Sequence, residues 1–496
     1  PPLRARREMT ALHPVQLAPT RVPRYEAPGS LDAALEIIAE HADRARPVAG
    51  GTDLLVELDR GARTGLEMLV DLSRIPGLDE ITLDRDGLHL GALVTHNQVV
   101  ASEACRRVAL PLAQACLEVG SPQLRNRATV VGNIVTASPA NDTISALLAL
   151  GATIELASTA GRRRVELADF ITGFRTTVRR PDELVTGVLV PALAENQRGV
   201  FVKLGLRRAQ AISVVHLAAT VALDDDRVLD AALALGSVAP TVVLVTDIAE
   251  RLIGRRLDAG AIAEAIDAAG RAASPIDDVR APASYRSDLV ATMTRRAFTS
   301  LAKGRQADRW PDQPPLLWGA GFDGRFPTGA GLAASVRLDD PVVAEVNGRS
   351  VSAAGAAGIT LLDWLRDEVG LPGVKEGCAE GECGACTIDL DGAAVMSCLV
   401  PAGRAAGARI TTVEGLAHRD RLDPVQDAFV ETGAVQCGFC TPGLVMACAK
   451  LIEEHPRPSS EQVVAGLAGN LCRCTGYRAI ESAVTLAADT ADREWS

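Results

Sequence analysis

The stretch GCAEGECGACT, residues 377–387, decides how this chain is read, because it places Cys378, Cys383 and Cys386 close together. Cys398 follows after 11 intervening residues. A second group lies downstream, where QCGFCTPG (436–443) supplies Cys437 and Cys440 and LCRCTGY (471–477) supplies Cys472 and Cys474. Together these are eight of the chain's 11 cysteines, in two sets of four. Gly377, Gly381 and Gly384 stand between the first cysteines. Without a Cβ, glycine lets the backbone bend tightly and turn its N–H groups inward.

The first spacing, C-x4-C-x2-C and then a distant Cys, is the plant-type ferredoxin pattern for a [2Fe–2S] cluster. The second, C-x2-C and then C-x-C, supplies a separate four-thiolate site. Backbone N–H groups turned toward the sulfurs would help set a reduction potential. Other uses of eight thiols have to be weighed. Disulfides belong to oxidising compartments, and a long acidic chain with no secretory segment points to a reducing one, the cytoplasm. A structural zinc site could use the second set taken alone, and beside a plant-type loop it becomes the weaker reading. Neither CxxC is followed by His, so c-type haem is excluded, and no βαβ pattern surrounds Cys437–Cys440 as a thioredoxin-like role would need.

With 496 residues the chain has room for three or four domains, taking about 150 residues for each. Hydrophobic residues make up 47% and charged ones 23%, an ordinary globular balance. The net charge of −11 argues against a nucleic-acid partner, which calls for a basic patch. Its plainer reading is solubility. No apolar run reaches membrane-spanning length. Arg6–Arg7 is a twin-arginine pair, but no apolar core follows, so no export signal is read there. Met9 is a candidate natural start.

In chain order, Ser30 reads as the N-cap of a helix over Leu31–His41, with apolar Leu31, Ala34, Leu35 and Ile38 at helical spacing. PVAGGTDLLVEL (47–58) steps from a strand into paired glycines, which can wrap a phosphate or simply make a turn. In ATVVGNIVTASPANDTISALLALGA (128–152), Gly132–Asn133 is read as ending an apolar run, and Asp142 as either the cap of a helix at Thr143–Leu150 or a grip on a nucleotide. GSPQLRNR (120–127) is read as a loop with two solvated arginines.

Strands are predicted at Thr153–Leu156, Glu183–Val190, Val200–Leu206, Ser213–Leu223 and Val228–Leu235, then helices at Ala261–Ala273 and Tyr285–Lys303, a separate α+β unit. Residues 304–340 read as a linker broken by Pro311, Pro314, Pro315 and Pro327, with Trp310 and Trp318 packing on something. Hairpins are predicted around Asn347–Gly348 and Asp391–Gly392, with a helix at Thr360–Glu368 and a strand at Arg409–Val413. Helical periodicity fills 423–432, 442–453, 460–468 and 477–488. The remaining Cys105, Cys116 and Cys448 read as buried structural thiols.

The double cysteine pattern resembles the iron–sulfur portion of the molybdenum hydroxylases, the xanthine dehydrogenase and carbon monoxide dehydrogenase family. VAGGTDLL, ATVVGNIVTASPANDT, RPDELVTGVLVP, FVKLGLRRAQAISVV and SYRSDL resemble that family's FAD-binding medium subunit. The order is the reverse of that usual in fused relatives, where the iron–sulfur part comes first. The glycine pair usual before Asn133 is Val131–Gly132 here.

The resemblance implies an α+β, multidomain fold. It would comprise an FAD-binding α+β domain of the vanillyl-alcohol-oxidase/PCMH type (20–195) and the α+β domain that ends the medium subunit in that family (196–303). The linker, a plant-type ferredoxin β-grasp domain (341–415) and a four-helix [2Fe–2S] domain (416–490) would follow. By position, Val48, Ala49, Gly50, Gly51, Thr52, Asp53, Leu54 and Leu55, with Thr129, Gly132 and Asn133, would line the FAD pyrophosphate. Asp142 would contact the nucleotide, Leu184 or Val185 with Lys203 would lie by the flavin, and Gln436 would face the molybdopterin of a partner. Cys437, Cys440, Cys472 and Cys474 would hold the cluster nearer molybdenum, and Cys378, Cys383, Cys386 and Cys398 the one nearer FAD.

The implied function is an electron-transfer subunit with no catalytic residue of its own. Molybdopterin, as its cytosine dinucleotide with Mo, would sit on a large catalytic subunit in a dimer of heterodimers. The substrate would be a purine or another N-heteroaromatic, and the acceptor NAD, oxygen or a quinone. A free-standing flavin/iron–sulfur reductase of the ferredoxin-reductase kind is the alternative; it would need a GxGxxG after a strand, and none is found. A DNA-binding iron sensor would need a basic recognition element, which is also missing.

Overall fold

A computed structural model describes residues 19–325, 331–417 and 421–494. Arg6, Arg7, Met9 and Pro327 lie outside the described residues. Ser30 caps the helix Leu31–His41 by accepting the Ala33 N–H at 3.2 Å, and Ala34, Leu35 and Ile38 form its buried face. That helix joins the strands Arg24–Ala27 and Ala45–Val48, which both pair in parallel with Met68–Asp71. The fourth strand of this sheet, Ala334–Arg337, comes from far along the chain, inside the segment read as a linker, and lies antiparallel to Arg24–Ala27. A strand of only four residues (ASVR) between prolines and glycines leaves almost no period-2 signal in sequence.

A five-stranded antiparallel sheet follows, in the order Ile81–Leu83, Leu88–Gly91, Leu184–Val190, Thr153–Ser158, Gly161–Glu166. Its core includes the helices Val130–Thr136 and Asp142–Ala149. Gly132–Asn133 therefore lies inside a helix, capped by Thr129 whose Oγ1 accepts the Gly132 N–H at 2.9 Å, and does not end an apolar run. Nor is 120–127 a solvated loop: Pro122–Arg125 is a helical turn, and Arg125 and Arg127 are buried. Arg125 donates from Nε to Asn97 Oδ1 at 2.8 Å and from Nη1 to the carbonyls of Leu117 and Val119. Burial holds its pKa down at about 10.

The next unit is a meander of Gln197–Gly205, Ser213–Asp224, Arg227–Gly236 and Val243–Leu244, backed by the helices Ala259–Ala272 and Ala283–Ala302 around a core of its own. Beyond it, Trp310 packs back on the core of the five-stranded antiparallel sheet, with the Arg106 guanidinium 5.9 Å from its ring centroid. Trp318 Nε1 donates to Asn126 Oδ1 at 2.8 Å.

A five-stranded mixed sheet then carries both expected hairpins, with left-handed backbone at Asn347–Gly348 (φ 52° and 71°) and Asp391–Gly392 (φ 56° and 106°). The helix expected at 360–368 splits into an α turn, Leu361–Asp363, and a π turn, Trp364–Glu368. Four helices close the described chain: Pro424–Glu431, Thr441–Glu454, Ser460–Gly466 and Arg478–Glu494. Among the described residues no helix is long and apolar enough to cross a membrane.

The first sheet and the cysteine-bearing β domain share one hydrophobic core, in which Tyr25, Val48, Leu69 and Val336 lie with Trp364, Cys386, Ile388 and Leu399. Far-apart stretches of sequence thus meet in a dry interior.

Candidate functional site

The glycine-containing loop after the strand Ala45–Val48 borders a cavity of about 640 Å³. Gly50 and Gly51 are required there for different reasons. A Cβ on Gly50 would lie 2.1 Å from the Arg127 carbonyl oxygen, and Gly51 has φ +81°. Of the residues expected to hold a flavin dinucleotide, the cavity wall contains Val48 through Leu54, Thr129, Gly132, Asn133, Asp142, Leu184, Val185 and Lys203. Leu55 is buried behind the wall rather than in it. Gln436 is exposed beside Cys437, away from the cavity.

Asp142 does not cap its helix; Asn141 occupies that position, without a side-chain bond. The Asp142 carboxylate instead accepts Lys203 Nζ at 2.6 Å and Ser213 Oγ at 2.5 Å, while Lys203 also donates to the Glu118 carbonyl. This pairing makes burial of both charges tolerable. Asp53 accepts Thr136 Oγ1 at 3.0 Å, and burial raises its pKa. Sequence reading missed Thr136, Ser138, Gln210, Ala211 and Ile212 in the wall, and also Glu380 and Glu382. Those two glutamates belong to the first cysteine loop, so the loop itself helps close the cavity. Gln210 Nε2 donates to the Gly381 carbonyl at 3.1 Å, and Arg60 and Arg207 pair with Glu380 and Glu382.

The thiols of each set meet in pairs. In the first, Cys378 faces Cys383 and Cys386 faces Cys398; in the second, Cys440 faces Cys472, and Cys437 lies 3.6 Å from Cys474. A two-plus-two arrangement is what a diiron cluster needs, with two thiolates for each iron. Cys378 Sγ accepts backbone N–H groups from Glu380, Glu382 and Cys383 at 3.3–3.4 Å. Contact with Cys383 and those N–H groups hold its thiol down at about 5. Burial alone would raise Cys472, but the Thr475 hydroxyl and N–H keep it at about 7.

Gly381 and Gly384 have φ +73° and +67°, and a Cβ on either would collide, with Leu399 at 2.1 Å or the Gly469 carbonyl at 2.2 Å. The donor set and the glycine-only turns fit [2Fe–2S] clusters. Cys105, Cys116 and Cys448 are buried and belong to neither set.

The sets are also joined to each other. The Leu471 N–H, next to Cys472, donates to the Cys383 carbonyl at 2.9 Å, and Asn470 Nδ2 donates to the Gly384 carbonyl at 3.0 Å. Cys437 and Cys474 are exposed, Cys378 and Cys383 half-buried, and Cys386 and Cys398 buried. A line therefore runs from solvent through one thiol set to the other and on to the cavity.

Fold and site together define a flavin and iron–sulfur electron-transfer protein. Family profiles agree along the chain: an FAD binding domain in molybdopterin dehydrogenase over residues 19–193, a CO dehydrogenase flavoprotein C-terminal domain over 201–301, a 2Fe-2S iron-sulfur cluster binding domain over 344–411 and a [2Fe-2S] binding domain over 412–485. The nicotinate dehydrogenase small FeS subunit of Eubacterium barkeri is 44% identical over 144 residues, 29% of this chain and 92% of that protein. The nicotine 6-hydroxylase small subunit of Paenarthrobacter nicotinovorans is 51% identical over 140 residues, 28% of this chain and 84% of that one. Among solved structures, a carbon monoxide dehydrogenase chain from Hydrogenophaga pseudoflava superposes with a TM-score of 0.56 at 28% identity, covering 59% of this chain and all of that chain.

The chain belongs to the molybdenum hydroxylase family, as a fused FAD-binding medium subunit and [2Fe–2S] small subunit. The free-standing reductase reading does not fit these findings.

Proposed function

We propose that this chain carries electrons from a large molybdopterin subunit to an external acceptor. The carrying observation is the continuous path from exposed Cys437 and Cys474, through the Leu471 to Cys383 hydrogen bond, to the cavity that Glu380 and Glu382 help enclose. When bound, the two [2Fe–2S] clusters supply one-electron steps, and FAD links them to a two-electron acceptor. The residues do the rest. Cys437, Cys440, Cys472 and Cys474 hold the entry cluster, and Cys378, Cys383, Cys386 and Cys398 the inner one. Val48 to Leu54, Thr129, Gly132 and Asn133 receive the FAD pyrophosphate; Asp142, Leu184, Val185 and Lys203 border the rest of the dinucleotide.

Gln436 and the exposed Val435, Phe439 and Leu471 surround the entry thiols. We read them as the docking face for the partner, with Gln436 toward its molybdopterin cytosine dinucleotide. Exposed apolar residues clustered at a redox entry point suit a protein interface. The substrate is a purine or another N-heteroaromatic, a choice supported by the names nicotinate dehydrogenase and nicotine 6-hydroxylase among the relatives. NAD, oxygen or a quinone takes the electrons, and the complex is a cytoplasmic dimer of heterodimers.

The test is anaerobic mixing of the purified complex with xanthine or nicotinate while flavin absorbance is followed. Substrate should bleach the flavin only when the large subunit is present. Bleaching of the isolated chain by NADH, with onward turnover to ferredoxin, would support a reductase instead.

A further inference from the structure

Behind the cavity's glycine loop runs a seam of buried charges, and Arg127 lies at its centre. It is almost fully buried, in a stretch that composition alone presents as polar loop. Its Nη2 donates to the Ala49 carbonyl at 3.3 Å, and its own carbonyl occupies the space a Gly50 Cβ would need. One residue therefore braces the loop with both side chain and backbone. Its charge is set among others from distant parts of the chain: Asp71 and Tyr25 of the first sheet, and Arg404 and Asp391 of the cysteine-bearing domain.

Hydrogen bonds link several members of that seam, while Arg404 Nε and Nη1 are buried without a hydrogen-bond partner among the described residues. Tyr25 Oη donates to Asp71 Oδ2 at 2.6 Å, Asp391 Oδ2 accepts Arg404 Nη2 at 2.8 Å, and Asp391 Oδ1 accepts the Arg409 N–H at 2.8 Å. Arg74 Nη2 crosses to the Ala406 carbonyl at 2.6 Å. Tyr25 packs face-on against Gly403, where a Cβ would sit 2.5 Å from the ring. Buried charges without this mutual compensation would be costly. Here the guanidinium groups of Arg127, Arg404 and Arg74 face the carboxylates of Asp71 and Asp391. The glycine loop's position is thereby tied to a domain that contributes neither Arg127 nor the loop.

We propose that Arg127 is a positioning residue for the flavin dinucleotide, holding the Ala49–Gly51 loop through a buried charge seam that extends to Asp391 of the iron–sulfur domain. The inference rests on the FAD reading of the cavity. It adds that flavin affinity is set partly by a residue, Asp391, that lies outside the cavity wall.

The experiment uses the full chain purified anaerobically, stripped of FAD and titrated with FAD by flavin fluorescence quenching, with iron and labile sulfide measured on the same samples. Arg127→Met should weaken FAD binding at least tenfold and Asp391→Asn at least threefold, both with iron retained. Arg127→Lys should fall between parent and Arg127→Met, because lysine keeps the charge but loses the planar fork. A role confined to general folding would lose iron and FAD together. FAD binding within twofold of the parent in Asp391→Asn or Arg127→Met would overturn the proposal. If Arg127→Met does not fold, Arg127→Lys and Asp391→Asn carry the test. A parent chain that binds no FAD would refute the flavin reading itself, a different failure.

Discussion

Glu454 shows how much one residue can hold. Its carboxylate, near the end of the helix Thr441–Glu454, accepts the backbone N–H groups of Leu316 (3.0 Å) and Leu317 (2.7 Å). It thus fastens the long connection to the last domain. Burial pushes its pKa up to about 7 despite those bonds. A carboxyl raised on folding favours the protonated folded state. The stabilisation is fully present below the ordinary value of 4.5 and is lost as pH rises through about 7. The swing is on the order of 3 kcal/mol at most. The unfolding midpoint of the parent should therefore fall from pH 5 to 7.5 relative to Glu454→Gln, in which that slope is absent. Parallel curves for the two proteins would contradict this.

Gly384 is a second such residue. It combines φ +67° with the close approach of Gly469. Alanine there would meet left-handed strain of about 1–2 kcal/mol and, in addition, a backbone collision between the two thiol-bearing domains. Gly384→Ala should lower the chemical-denaturation midpoint by more than Gly407→Ala, whose Cβ meets nothing within 4 Å although its φ is +71°. Equal losses would show that the collision is relieved at no cost.

At the scale of elements, the sequence was most readable where local chemistry decides the outcome. Ser30 as a cap, the left-handed pairs Asn347–Gly348 and Asp391–Gly392, and the meander strands all follow from short-range rules. The eight thiols were legible because ligand spacing is itself local. What escaped was decided at long range. Asp142 read as either a helix cap or a grip on a nucleotide, and nothing local announces that Lys203 and Ser213 claim its carboxylate. Arg125 and Arg127 looked solvated because nothing nearby in sequence announces the carbonyls and carboxylates that bury them. The strand Ala334–Arg337 gains its meaning only from Arg24–Ala27, some three hundred residues earlier. Glu380 and Glu382 joined the cavity wall for the same reason.

The two thiol sets sit on different elements, and so they should fail separately. Cys437→Ser removes an exposed thiol at the end of the line, next to the helix Thr441–Glu454 but outside the shared core. Iron should drop by about half, since one of two four-thiolate sites loses a ligand. FAD content and the other cluster's signal should persist. Simultaneous loss of both clusters and FAD would mean that the sites are not independent.

For the whole molecule, fusion of the two parts is more than tethering. A common hydrophobic core and a buried charge seam join the first sheet to the cysteine-bearing β domain, and the returning strand Ala334–Arg337 closes the arrangement. Such an interior keeps distances fixed, which suits electron transfer between centres in one chain. The outer end is different in kind, with Phe439 48% and Leu471 48% exposed beside the entry thiols. Phe439→Asp should abolish co-purification with the large subunit while leaving iron content unchanged; retained co-purification would place the docking face elsewhere.

The most direct measurement is electron paramagnetic resonance of the anaerobically prepared chain after dithionite reduction, alongside iron, sulfide and flavin analysis. Two distinct [2Fe–2S] signals of equal intensity, about four irons and one FAD per chain are the result expected for two four-thiolate sites and one flavin cavity. A single signal, or zinc bound at either thiol set, would contradict the relay.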